Sequence, residues 1–154
     1  TRRRLFFICV RPDLNGFPVK PIPEFQKDSG YRSIKWAIDD LKKIDDETVS
    51  NQSQFFRASK AKKGNGQGDE KSKRDQPAYT VRANAKSRVQ FHYELERRLT
   101  VRECARLQSF PDTFVFPHSA TTNIMQIGNA VPPLLAHKVA TSIANFLQES
   151  DDDG

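Results

Sequence analysis

QIGNAVPP, residues 126 to 133, sets Gly, Asn and Ala between two apolar residues and closes on two prolines. Gly128 admits either a positive φ angle or the close approach of another group to the backbone. Pro132 and Pro133 suit the first turn of a helix, where a missing N–H costs nothing. LLAHKVATSIANFL follows, with Leu135, Val139, Ile143 and Phe146 or Leu147 spaced for one helical face. The pattern predicts a tight loop delivered onto a helix N-terminus, where Asn129 presents its polar groups. Two readings stand on these residues alone: an ordinary turn entering a core helix, or a polar turn that meets a ligand.

Two other groups carry chemical potential. Arg2, Arg3 and Arg4 precede the apolar run LFFICV. Between Arg57 and Arg106, fourteen Lys or Arg face six Asp or Glu, a net of +8 that exceeds the +6 of the whole chain. Such a segment suits a polyphosphate partner, or it is a solvated, flexible face. The tail ESDDDG is acidic. The two cysteines, Cys9 and Cys104, form neither a disulfide framework nor a metal-ligand spacing, which fits a reducing, intracellular compartment. No metal site is expected.

The elements that must position these groups can be read in outline. A chain of 154 residues forms one domain or a piece of a larger protein. Mean hydropathy is −0.69, and no apolar run approaches the roughly 20 residues that cross a membrane. The start lacks the length and cleavage site of a signal peptide and an initiating Met, so the chain is expected to begin part-way through a longer product. RRRLFFICV reads as a buried strand, followed by an extended, proline-rich connector. SIKWAIDDLKKI reads as an amphipathic helix with Ile34, Ile38 (or Ala37), Leu41 and Ile44 on one face. From about Asp45 to Asp75 the pattern dissolves, and residues 59–76 read as a mobile basic loop. SQFFR and AYTVRA read as short strands, with Phe55, Phe56, Tyr79 and Val81 available for a small core. LTVRECARLQSF is the clearest helix, with Thr100 and Glu103 spaced for a capping box and Pro111 as its stop. DTFVFPHSATTN then reads as a short loop.

RRLTVRECARLQSFPD (97–112) and QIGNAVPPLLA closely resemble the last two conserved blocks of DNA cytosine-5 methyltransferases. TRRRLFFICVR resembles an earlier block, two arginines separated by one residue at the head of a strand, and PAYTVRA the segment before the penultimate block. The segments follow the family's order. The resemblance implies an α/β fragment: the C-terminal part of a Rossmann-like, S-adenosylmethionine-dependent methyltransferase, with a small, mostly β or irregular target-recognition domain. Residues 1–44 would end the catalytic domain and supply a connector helix. Residues 45–96 would be the target-recognition domain, 97–148 a hinge helix and the return to the catalytic domain, and 149–154 an acidic tail.

By the same resemblance, Gly128, Asn129, Ala130 and Val131 would touch S-adenosylmethionine, and the helix from Pro132 would pack on the catalytic sheet. Enzymes of this kind flip the cytosine out of the duplex and add a cysteine thiolate to C6. Arg4 matches the residue that holds the ring at O2, with Arg2 beside it near the acidic partner or a phosphate, and Arg3 facing away. Duplex DNA is the implied partner. Lys60, Lys62, Lys63, Lys71, Lys73 and Arg74 are phosphate candidates, and Arg57, Arg82, Asn84 and Arg88 are base-reading candidates. His92 reads as structural.

The sequence departs from the family in what it lacks. The Phe-x-Gly-x-Gly loop, the Pro-Cys pair and the Glu-Asn-Val triplet are not found, and Cys9 and Cys104 both read as small buried hydrophobes. The chain is therefore expected to be inactive alone and to need the N-terminal catalytic half, in the same or a separate chain. A small subunit of a split enzyme and a non-catalytic DNA-binding module are the alternatives. An RNA-directed relative would carry a Cys-Phe-Thr signature, which is not found. The expected location is the cytoplasm, with the bacterial or archaeal nucleoid, and no membrane partner.

Overall fold

The computed structural model describes residues 5–25, 30–55, 70–83 and 90–152. Helix α1 spans Ile34–Ile38, opened by Ser33, whose side chain accepts the Trp36 N–H at 3.2 Å. It tightens into a 3₁₀ turn at Asp39–Lys43. Spacings of four and then three residues keep Ile34, Ile38 and Leu41 on one side through this change, and all three are fully buried. The predicted face is therefore correct, although the helix is not α-helical throughout.

Strand β1, Glu70–Lys71, pairs in parallel with β2, Gln90–Phe91. Phe91 also bridges Arg98 in antiparallel fashion, so residues 97–99 return along β2. Helix α2 is Val101–Leu107, α3 is Ala120–Asn129 and α4 is Pro133–Asp152. One apolar cluster joins α1 (Ile34, Ile38), Val81, Tyr93, Leu99, α2 (Val101, Cys104, Ala105), Phe116 and α3 (Ile124, Ile127). Each fully buried isoleucine contributes about 1.5–3 kcal/mol relative to exposure.

Several expectations need correction. Residues 5–10 form no strand; Leu5 and Phe7 are 78% and 83% exposed, and Cys9 is exposed too. An apolar run becomes a strand only with a neighbour to pair with, and the described residues offer this one none. Residues 53–55 and 78–83 likewise form no strand. Val81 enters the core, whereas Tyr79 stays exposed and Phe55 is half-buried.

Helix α2 stops at Leu107, well before Pro111. Ser109 adopts φ +60°, its N–H reaches the Arg106 carbonyl at 2.8 Å, and the Phe110 N–H reaches the Ala105 carbonyl at 3.0 Å. That bond pair is a Schellman ending without the usual glycine. The last four residues of DTFVFPHSATTN, read as loop, are the first turn of α3, capped by Ser119. Residues 70–76, placed by sequence in the mobile loop, are tied to α1: Ile34 N–H donates to Gln76 O (2.8 Å) and Lys35 N–H to Arg74 O (3.2 Å). Residues 59–69 lie outside the described residues.

Candidate functional site

The LTVRE segment builds the platform on which the site rests. Thr100 accepts the Glu103 N–H at 2.9 Å while Glu103 accepts the Thr100 N–H at 2.8 Å, the capping box anticipated from spacing. Glu103 is fully buried, and Arg97 clamps it through two bonds of 2.7 and 2.8 Å. Thr100 Oγ1 donates to Gln52 Oε1 at 2.8 Å, and Gln52 Nε2 donates to the carbonyls of Leu41 and Ile44. The network thus binds α2 to the end of α1 and to residues 97–100. His92 lies against it with no exposed surface. Its Nδ1 accepts the N–H groups of Glu94 and Leu95, which places the imidazole proton on Nε2 in the neutral ring, 3.9 Å from Glu103. Burial holds His92 below the ordinary histidine range despite the nearby Glu103 carboxylate. Its role is structural, as the sequence indicated.

Two more arginines of α2 face inward. Arg102 is buried and donates to the carbonyls of Ser50 (2.8 Å), Pro111 (2.9 Å) and Phe114 (2.7 Å). Arg106 grips Asp112 with two bonds, at 2.9 and 2.6 Å, and reaches Asp40 at 2.6 Å. Arg97, Arg102 and Arg106 are therefore spent on internal partners, and the basic surplus of 57–106 overstates what a polyphosphate can meet. Asn51 and Asn123, which sequence reasoning passed over, set the entry to α3. Asn51, at φ +67°, exchanges two bonds of 2.9 Å with the backbone of Phe116. Asn is among the residues that tolerate that conformation. Asn123 donates to His118 O at 2.7 Å and accepts its N–H at 3.1 Å.

The QIGNAVPP segment is less of a loop than expected, because residues 126–129 are the last turn of α3. Gly128 is buried, and its φ is not the reason for glycine. A Cβ there would lie 2.5 Å from Arg82 C and 2.7 Å from Ala83 Cα, with the Ala83 nitrogen closer still. Of the two possibilities at Gly128, close approach is the one realised, and the approaching group is the TVRA backbone. Ala130 leaves the helix in an extended conformation, with its N–H on Gln126 O at 3.0 Å. Pro132 accepts the Ala136 N–H at 3.0 Å and Pro133 opens α4, as the two prolines predicted. Ser109 Oγ accepts the Leu134 N–H at 3.1 Å, so the residue that ends α2 also caps α4. Asn129 and Val131 are exposed at this junction, and Arg82 is exposed beside Gly128.

Helix α4 is not a core helix among the described residues. Leu135 and Leu147 are exposed, and Val139, Ile143 and Phe146 are half-buried. It lies along residues 16–24, with Ser142 donating to Val19 O and Lys138 paired to Glu24 at 2.7 Å. No helix among the described residues is long and apolar enough to cross a membrane.

Of the remaining residues singled out from sequence, Arg2 and Arg4 lie outside the described residues, as do Arg57, Lys60, Lys62, Lys63, Asn84 and Arg88. Lys71, Lys73 and Arg74 are exposed. Cys104 is buried, and burial pushes its thiol up to about 12, so it supplies no thiolate.

The platform, the junction and the TVRA segment thus come from widely separated stretches of sequence that a comparison with known families takes in together. Residues 41–145 match the C-5 cytosine-specific DNA methylase family. The chain belongs to that family. The match begins at Leu41 and so leaves out the N-terminal arginines. Among relatives of this C-5 cytosine methylase chain, type II methyltransferase M1.HphI of Haemophilus parahaemolyticus is 51% identical over 69 residues, covering 45% of this chain and 18% of its own. DNA (cytosine-5-)-methyltransferase M.ApeKI of Aeropyrum pernix is 45% identical over 73 residues, covering 46% and 16%. DNA (cytosine-5)-methyltransferase 1A of rice, Oryza sativa subsp. japonica, is 49% identical over 53 residues, covering 34% and 4%. The matched stretch spans under a fifth of each of these relatives.

Proposed function

We propose that this chain is the C-terminal portion of a DNA cytosine-5 methyltransferase that transfers a methyl group from S-adenosylmethionine to C5 of cytosine in a duplex site. The chain supplies DNA recognition and one wall of the cofactor pocket. The observation that carries the reading is the α3–α4 junction. Gly128 lets the TVRA backbone close against α3, which sets exposed Asn129 and Val131 beside exposed Arg82.

The residues at the junction suit the cofactor as a partial wall. The Asn129 amide offers a donor and an acceptor to the zwitterionic amino-acid end, and Val131 offers apolar contact. Gly128 takes part as the spacer that fixes this turn, because the 82–83 backbone covers it on one side. S-adenosylmethionine supplies the electrophilic methyl group. Arg4 holds the cytosine at O2 as charge develops on the ring, with Arg2 nearby. Arg57, Lys60, Lys62, Lys63, Arg82, Asn84 and Arg88 meet the DNA. The nucleophilic cysteine, the N3 acid and most of the cofactor site come from a catalytic half bearing the Pro-Cys loop.

Kinetics of the assembled enzyme test this. Asn129→Ala raises KM for S-adenosylmethionine about tenfold, as loss of a hydrogen bond to a charged group predicts, and leaves KM for DNA in place. An equal rise for DNA, or no change for either, contradicts the assignment. Arg4→Ala lowers kcat more than DNA affinity, and equal losses in both speak against the O2 role.

A further inference from the structure

Phe25, Arg32 and Trp36 stack in three layers at the start of α1. The Arg32 guanidinium carbon lies 4.4 Å from the Phe25 ring centre and 3.9 Å from that of Trp36. With Ile34 and Ile38 turned into the core, Trp36 is left 63% exposed. A cavity of about 310 Å³ opens beside the stack, lined by Arg32, Trp36, Tyr79, Thr80 and Arg106 among others. Arg106 in that wall is engaged by Asp40 and Asp112, whereas Arg32 is held between the two rings, with the Glu24 carboxylate near enough to feel its charge but itself bonded to Lys138. The backbone bond from Lys35 to Arg74 brings exposed Lys73 and Arg74 to the same end of the helix.

Exposed rings interleaved with guanidinium and ammonium groups are the makings of a platform for unpaired bases, because every base has a π-face and every nucleotide a phosphate. The basic rim favours a nucleic-acid strand over an apolar protein surface. We infer that Trp36 and Arg32, with Tyr79 across the cavity, form a stacking shelf for an unpaired base of a DNA strand, whose phosphates meet Lys73 and Arg74. The inference rests on the DNA-recognition reading above and adds to it a surface made of other residues.

Trp36 is the sole tryptophan of the chain, so its emission reports on the shelf alone. Titration of the 154-residue chain with oligothymidylate quenches that emission, and heparin, a polyanion without bases, does not. By anisotropy of labelled oligothymidylate, Trp36→Ala binds about tenfold more weakly, while Trp36→Phe stays within about twofold of the native chain. Equal quenching by heparin, or unchanged affinity in Trp36→Ala, overturns the shelf. A duplex gel shift on the same proteins separates the two ideas. If duplex shifts but Trp36→Ala binds oligothymidylate normally, the shelf falls and DNA recognition stands. If duplex fails to shift while oligothymidylate still quenches Trp36, the shelf stands and the duplex reading falls.

Discussion

Gly128 of α3 and Ala83 of the TVRA segment meet backbone to backbone, with no room between them for a single added carbon. A Cβ at position 128 would meet main chain rather than the end of a mobile side chain, so α3 or residues 82–83 must shift to admit it. Gly128→Ala is expected to lower stability by about 2–3 kcal/mol. Urea unfolding checks this, with Asn129→Ala as the exposed neighbour that leaves the midpoint in place. A Gly128→Ala chain as stable as the native one contradicts the close approach.

Glu103 closes the capping box and accepts both arms of Arg97 without contact with solvent. Removal of one partner leaves the other charge buried and unpaired, so Arg97→Ala or Glu103→Ala each costs about 3–5 kcal/mol. The double variant costs less than their sum, because the second change removes the orphaned charge. Additive losses in chemical denaturation would speak against a shared network.

His92 makes stability depend on pH. Burial is the larger influence and disfavours the imidazolium; Glu103 and Glu94 favour it, and Arg97 and Lys42 oppose it. The unfolded chain therefore takes up this proton near pH 6.5, about where a free histidine titrates, before the folded chain does. The contribution of neutral His92 is intact above that value and is lost as pH falls through it toward the lower folded value. The urea midpoint is expected to drop as pH falls below about 6.5. His92→Gln is less stable at neutral pH but lacks this leg of the curve. Asp112, held low by its bonds to Arg106, acts in a more acidic window.

The lysines of the 60–63 stretch are expected to meet phosphate. With Lys60, Lys62 and Lys63 replaced by Ala, the slope of log K against log salt for duplex binding becomes shallower by about 2 to 3. An unchanged slope means that these side chains do not touch the backbone of DNA.

The parts of the structure that were legible in sequence are those fixed by near neighbours. The Thr100–Glu103 box is a three-residue spacing, the Ile34–Ile38–Leu41 face is a helical period, and Pro133 opens α4 as its fixed φ dictates. Features fixed by distant partners were not legible. RRRLFFICV has strand composition, but pairing depends on a neighbour that composition does not specify. Ser109 ends α2 in a conformation usually given to glycine, so Pro111 drew the boundary too late. Gly128 is a close-approach candidate by residue type, yet only the fold identifies Arg82 and Ala83 as what approaches. Arg97, Arg102 and Arg106 belong to a basic stretch whose composition does not tell internal from external partners; the fold turns them onto Glu103, onto the Ser50 and Phe114 carbonyls, and onto Asp40.

On the proposed function, this chain completes a methyltransferase whose nucleophile resides elsewhere. The decisive assay is methyl transfer from labelled S-adenosylmethionine to duplex DNA by the 154-residue chain, by a catalytic half carrying the Pro-Cys loop, and by the two mixed. Labelled DNA is expected only in the mixture, with label on C5 of cytosine. Transfer by this chain alone, or equal transfer by the catalytic half without it, would refute this division of labour.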